Sequence, residues 1–209
     1  MMSKSAQNKI MQIKGANLKP GMKLAEDIES EYGGIFLMAG TILNEKEIKS
    51  LQKLNPGQVI VYNNNKQELN QNLKKINDIR HRYENSVDQM KGVFKKAKKI
   101  QKIEYKDLKS LTNEIIDIGQ EKELINLLTI VRKSDEYTYS HLINVGILAY
   151  IFGNWLNLSQ NICLELTQAG LIHDLGKAQI PDEILNKPNK LTEQEYSEMK
   201  KHSIYGYEM

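Results

Sequence analysis

The feature that most constrains this chain is an apolar stripe in its middle third. Leu69, Leu73, Ile76, Ile79, Tyr83, Val87, Met90, Phe94 and Ala97 follow one another in steps of three and four. That spacing keeps one narrow face of a helix apolar, and its length predicts a single helix well beyond the usual three turns. A narrow stripe is satisfied either by packing along a neighbouring domain or by pairing with a second copy as a coiled-coil seam. The spacing leaves both open, so a homodimer through the 69–97 helix is one expectation. The lysines that gather near its end, Lys91, Lys95, Lys96, Lys98, Lys99 and Lys102, read as a solvated face. No interleaved aromatics suggest base stacking, and a net charge of +3 gives no reason to expect a nucleic-acid polymer as partner.

On either side of the stripe the texture changes, which divides the chain into 1–62, 63–110 and 111–209. In the first part, the short runs Ile35–Met38 and Val59–Tyr62 alternate with the turn formers Pro20-Gly21, Gly33-Gly34, Gly40 and Pro56-Gly57. Such runs predict strands. Asn44 and Glu47 are spaced as a capping box for a helix over Glu45–Leu54. The last part reads as helical throughout, so the expected fold is mainly α, with a small α+β module and a long helix ahead of an all-helical domain. Cys163 is the sole cysteine, which excludes an internal disulfide and suits a reducing cytoplasm. No signal-peptide core opens the chain. The longest apolar stretch, Leu142 to Phe152, is interrupted by Asn144 and is too short to span a bilayer. A cytoplasmic protein without membrane insertion is expected.

Three of the four histidines fall in the helical part. His141 shares a spacing with Val145, Leu148 and Phe152, and His173 shares one with Ile162, Leu166 and Ala169 on a helix that Ser159 can cap. Each histidine is thereby expected on the apolar side of its helix. A third helix starts at a Thr192/Glu195 capping box and carries His202 near its far end. A histidine on an apolar face is ordinarily a packed core residue. Here Asp174 follows His173 at once, and a carboxylate entering a buried helix needs a partner or a metal. Lys177 lies one turn on, so the group offers two ligand types for a divalent ion and a cation for an anionic substrate. Among the remaining residues, Trp155 and Cys163 are expected in the core, Gly170 at a close helix contact and Gly176 at a helix end. Tyr137 and Tyr139 are expected either beside the site or packed at a helix start, and His81 in solvent.

The wording around these residues resembles the HD-GYP family. YTYSHLINV at 137–145 and AGLIHDLGKAQIPDEILNKPNKLTEQEYSEMKKHSIYGYEM at 169–209 carry the likeness through HDLGK, IPDEILNKP and KKHxxxGYE. KGANLKPGMKLAEDI, followed by GGIFLMAGTIL, is similar to the small module often found upstream. The resemblance implies an all-helical HD-type domain that hydrolyses cyclic di-GMP to linear pGpG at a centre of two or three iron or manganese ions. It implies metal ligation by His141, His173, Asp174 and His202, with Asp174 bridging the ions and Lys177 contacting the substrate phosphate; Asp174 and Lys177 are the catalytic pair. Tyr137 stands where three-metal members carry a glutamate, which favours two ions.

The family's motifs continue with paired histidines, a Gly-Tyr-Pro loop and a late aspartate, and Met209 comes before any of them. The expectation is therefore an HD-type domain present in part and, in these 209 residues, a phosphodiesterase lacking the ligands to turn over, its uncovered apolar faces inviting association. Two rival readings remain at this level. One is a non-catalytic signalling scaffold that dimerises through the long helix. The other is a single-metal HD nucleotide phosphohydrolase, which IPDEILNKP disfavours.

Overall fold

The computed structural model describes residues 10–30, 34–121 and 137–209, with the side chain of Tyr137 excepted. The described residues group into two compact units, divided between Arg80 and His81.

In the first unit, β1 (Ile10–Lys14) pairs antiparallel with β4 (Gln58–Tyr62), Ile10 opposite Tyr62 and Lys14 opposite Gln58. A second pair joins β2 (Ile28–Glu29) to β3 (Ile35–Leu37). Along β4 the period of two turns Val59 and Val61 inward. Helix α1 (Glu45–Leu54) starts at the expected capping box: Asn44 accepts from the amides of Lys46 and Glu47, and the Glu47 carboxylate accepts from the Asn44 amide at 2.7 Å. Ile48 and Leu51 of this helix join Leu24, Leu43, Val59 and Val61 in the core.

Helix α2 (Lys66–Ile100) is the long helix that the stripe predicts. From Ile76 to Ala97 every stripe residue is buried within this chain, while Leu69 and Leu73 stay half-buried. Over Ile76–Ala97 the stripe is thus packed intramolecularly.

The second unit combines the C-terminal half of α2 with α3 (Tyr105–Gly119), α4 (Tyr137–Trp155) and α5 (Gln160–Ile172). A 3-10 segment (Leu175–Gln179) and three short helices follow: α6 (Asp182–Leu185), α7 (Glu193–Lys200) and α8 (His202–Glu208). Ser159 caps α5 through the Ile162 amide, and Thr192 with Glu195 forms the expected box on α7. Lys201 breaks the helix expected to run through His202, so His202 opens α8 instead.

The packed faces of α4 and α5 correct the sequence reading. Buried on α4 are Leu142, Ile143, Ile147, Tyr150 and Ile151, and on α5 Cys163, Thr167, Gly170 and Leu171. The faces expected to be buried are open: Leu148, Ile162 and Leu166 are exposed, as is Ala169, and Phe152 is 53% exposed. Trp155, expected in the core, is 63% exposed, edge-on to Phe152 at 5.4 Å. The reason is that α4 is apolar nearly all round, so periodicity alone cannot select its packed side. Glycine selects it. A Cβ on Gly170 would lie 2.9 Å from Gly146 Cα, and one on Gly146 would lie 2.9 Å from Leu171. The two backbones meet where neither carries a side chain.

Gly170→Ala should therefore destabilise the chain by about 1–3 kcal/mol through overpacking. Gly92→Ala, at an exposed mid-helix site with no atom within 4 Å of the new methyl, should be neutral or stabilising by up to about 1 kcal/mol. Urea denaturation of both variants checks this contrast. The open apolar face of α4 and α5 should also bind the dye ANS, and Phe152→Glu should lower that fluorescence without lowering helicity by circular dichroism.

Candidate metal centre

The α4–α5 crossing sets the first pair of site residues. His141 lies just over one turn before Gly146, and His173 one turn after Gly170. The close backbones bring their rings to 5.3 Å between centroids, inclined by 71°. Helix α5 ends at His173, and Asp174 begins the tighter 3-10 segment. That turn directs the carboxylate inward, so Asp174 is the buried member of a half-open group. Gly176 then permits a second close approach. A Cβ there would fall 1.8 Å from His202 O and 2.5 Å from Gly206 N. Its φ is not positive, so close packing rather than the expected helix end accounts for this glycine. Through that contact α8 delivers His202 to the same carboxylate.

The result is an aspartate surrounded by basic groups. Asp174 Oδ2 lies 3.4 Å from His173 Nε2, 3.9 Å from His141 Nε2 and 2.6 Å from Lys177 Nζ, while Oδ1 lies 3.3 Å from His202 Nε2. His141, His173 and Asp174 offer ligand atoms within 4.8 Å of one another. The structure thus brings together all five residues singled out from the sequence. Tyr139 is placed elsewhere, edge-on to Phe94 at 5.3 Å, where both line a cavity of about 290 Å³ with Lys95, Lys98 and Asp182. The side chain of Tyr137 lies outside the described residues. His81 is exposed, as expected.

Two backbone contacts define which ring nitrogens face the aspartate. His173 Nδ1 lies 2.8 Å from Gly170 O, and His202 Nδ1 lies 2.8 Å from Met199 O. A carbonyl only accepts, so each Nδ1 donates, and in the neutral ring each Nε2 presents a lone pair. In the neutral rings those lone pairs and the carboxylate oxygens at 3.3–3.4 Å do not attract each other and share a preference for a cation, whereas a protonated ring is itself an ion-pair partner of Asp174. Anchoring of one ring nitrogen by a carbonyl is also the usual support of a metal-bound histidine. The donor set therefore fits a divalent metal of the kind that takes imidazole and carboxylate.

The electrostatics agree. Burial pushes the His141 pKa below its ordinary value, and the neighbouring His173 and Lys177 add to this against the pull of Asp174. His141 is thereby kept neutral and able to coordinate. Burial alone would raise the Asp174 carboxyl, but the Lys177 hydrogen bond and charge, with His173 and His202, hold it below the usual carboxylate range.

Sequence reasoning missed Asn144, whose Oδ1 accepts from the buried Tyr83 hydroxyl at 2.8 Å and ties α2 to the helix bearing His141. Its signal was present as the one polar interruption of an apolar run. Burial raises the Tyr83 pKa, which keeps that hydroxyl a donor.

The HD domain family profile matches residues 124–209. A cyclic di-GMP phosphodiesterase of Pseudomonas aeruginosa is 35% identical over 119 residues, covering 56% of this chain and 29% of the relative. One from Thermotoga maritima is 30% identical over 131 residues, covering 63% and 34%. A 3'3'-cGAMP-specific phosphodiesterase of Vibrio cholerae is 34% identical over 99 residues, covering 46% and 19%. Over residues 124–209 the chain is thus similar to HD domains, and the relatives that share this stretch are named as cyclic dinucleotide phosphodiesterases. The chain spans about a third or less of the length of these relatives. Among the described residues, no helix is long and apolar enough to cross a membrane.

Because Asp174 is held below its ordinary pKa, its ionised form contributes stability at neutral pH. That contribution is lost as pH falls through the lowered folded-state value. In Lys177→Met, burial is opposed only by the imidazoles, so the acid loss should shrink. Unfolding free energies from neutral to acid pH check this, and identical slopes for variant and wild type would refute it.

Proposed function

We propose that the HD domain of this chain is the metal-binding portion of a phosphodiesterase that opens a cyclic dinucleotide, cyclic di-GMP before 3'3'-cGAMP. The observation that carries this reading is the convergence of three imidazole Nε2 atoms on one carboxylate, on a surface flanked by an ammonium. His141, His173, Asp174 and His202 would hold the divalent metal. Iron or manganese suits that donor set. When bound, such ions supply Lewis acidity and lower the pKa of water enough for hydrolysis at neutral pH.

The residues of the chain itself supply orientation and charge. The carbonyls of Gly170 and Met199 fix two rings in the ligating tautomer. Lys177 pairs with Asp174 while that carboxylate lacks a cation. With a cation on that carboxylate, the Lys177 ammonium would be available to a phosphate oxygen, where it would offset charge developing in the transition state. His141 and His173 are each more than a third exposed, so an anionic diester can reach them. A reducing cytoplasm suits the buried thiol of Cys163. A non-catalytic dimeric scaffold has less support, because its coiled-coil seam would need stripe residues that the chain already covers.

The test is calorimetric titration with Mn²⁺, followed by product analysis with cyclic di-GMP and 3'3'-cGAMP. Wild type should bind Mn²⁺ and His173→Ala should lose at least about tenfold in affinity. Binding should weaken as pH falls through the lowered His141 value, since protons and metal compete for its Nε2. Equal Mn²⁺ affinity in wild type and His173→Ala would sink the proposal. Preferential opening of 3'3'-cGAMP would keep the metal site and replace the substrate.

A further inference from the structure

The 3-10 segment Leu175–Gln179 fixes the position of Asp174 and Lys177, and two sides of the molecule grip it. One grip is the Gly176 contact with α8 already described. The other is made by Gln179. Its Nε2 donates to the carbonyl of Ala97 at 2.9 Å and lies 3.5 Å from that of Lys98, while its Oε1 accepts from Gln101 Nε2 at 2.9 Å. Ala97 O also accepts from the Gln101 amide at 2.9 Å, while the carbonyls beyond it in the last turn lack partners within the helix, so the Gln179 side chain joins the main chain in closing the end of α2. Gln101 sits there in the left-handed region, at φ 53°, a conformation that residues with side chains seldom adopt. The hydrogen bond from Gln101 Nε2 to Gln179 Oε1 helps hold it. Three residues further on, Asp182 pairs with Lys98 at 2.7 Å.

We infer that Gln179 is a positioning residue for the metal centre: by capping the C-terminus of α2 it holds the 3-10 segment so that Asp174 reaches His141, His173 and His202 together. Nothing in its residue type marks it as a ligand, and it touches none of the four donors. Its action runs through the backbone of five residues. Leu175, Gly176, Ala178 and Ile180 are buried, so the segment moves as a unit, and loosening its far end displaces the near one. The inference rests on the metal reading given above.

The experiment compares Mn²⁺ affinity in the 209-residue chain with that in Gln179→Met, which keeps the length of the side chain and loses its amide, and in Gln101→Ala. Partners outside the ligand shell are commonly worth 10–100-fold in metal affinity; a residue one step further out is expected near the lower end, at about 5–10-fold. The double variant should be little worse than either single one, because both remove one linked contact. Thermal melts without metal establish that each variant is folded, since a purely structural cap would lower the melting temperature and leave the affinity of the folded protein unchanged. Wild-type affinity within twofold in both variants overturns the inference and leaves the metal reading intact. If wild type and His173→Ala bind Mn²⁺ equally, the metal reading itself fails, and the positioning role with it.

Discussion

Helices α4 and α5 cross with Gly146 against Gly170, and most of what the second unit can do depends on that contact. Without side chains at the crossing, the two backbones come within direct contact, and residues about a turn away on each helix are brought into reach of one another. His141 and His173 are those residues. The same crossing selects which side of the nearly uniformly apolar α4 is buried, and so decides that Leu148, Phe152, Ile162 and Leu166 face outward. A site and an exposed apolar face are two consequences of one steric fact.

The repetition of this device at Gly176 is informative. There the backbone of the 3-10 segment meets that of α8, and His202 reaches Asp174 from a third direction. Side chains are thus absent where elements must approach, and the functional groups stand just beyond. The carboxylate at the centre is buried at a cost that Lys177 offsets in this structure. A cation held by the imidazoles would offset it as well, so the same arrangement could hold a metal ion. Around this centre α2 is fastened at three levels: Tyr83 to Asn144, Phe94 to Tyr139, and its last turn to Gln179. The long helix is therefore part of the scaffold that supports the site.

Much of this was legible beforehand. The stripe on α2 follows from local spacing, the capping boxes at Asn44 and Thr192 involve residues three apart, and His141, His173, Asp174, Lys177 and His202 are named by short motifs. These are properties of residues close in sequence, whose chemistry needs no distant partner to be recognised. The faces of α4 and α5, the position of Trp155, the role of Gly176 and the part played by Gln179 were not legible. A helix apolar on all sides gives periodicity nothing to act on, and a glutamine that caps another helix across some eighty residues of chain looks like any other polar side chain.

By itself, then, the sequence determined which residues could ligate, cap and line a helix, because those capacities belong to side-chain chemistry and to spacing within a few turns. The tertiary structure alone decided which faces are covered and how five such residues meet at one carboxylate. Those outcomes depend on how closely backbones from separate elements can approach, and that distance is set only when the elements pack.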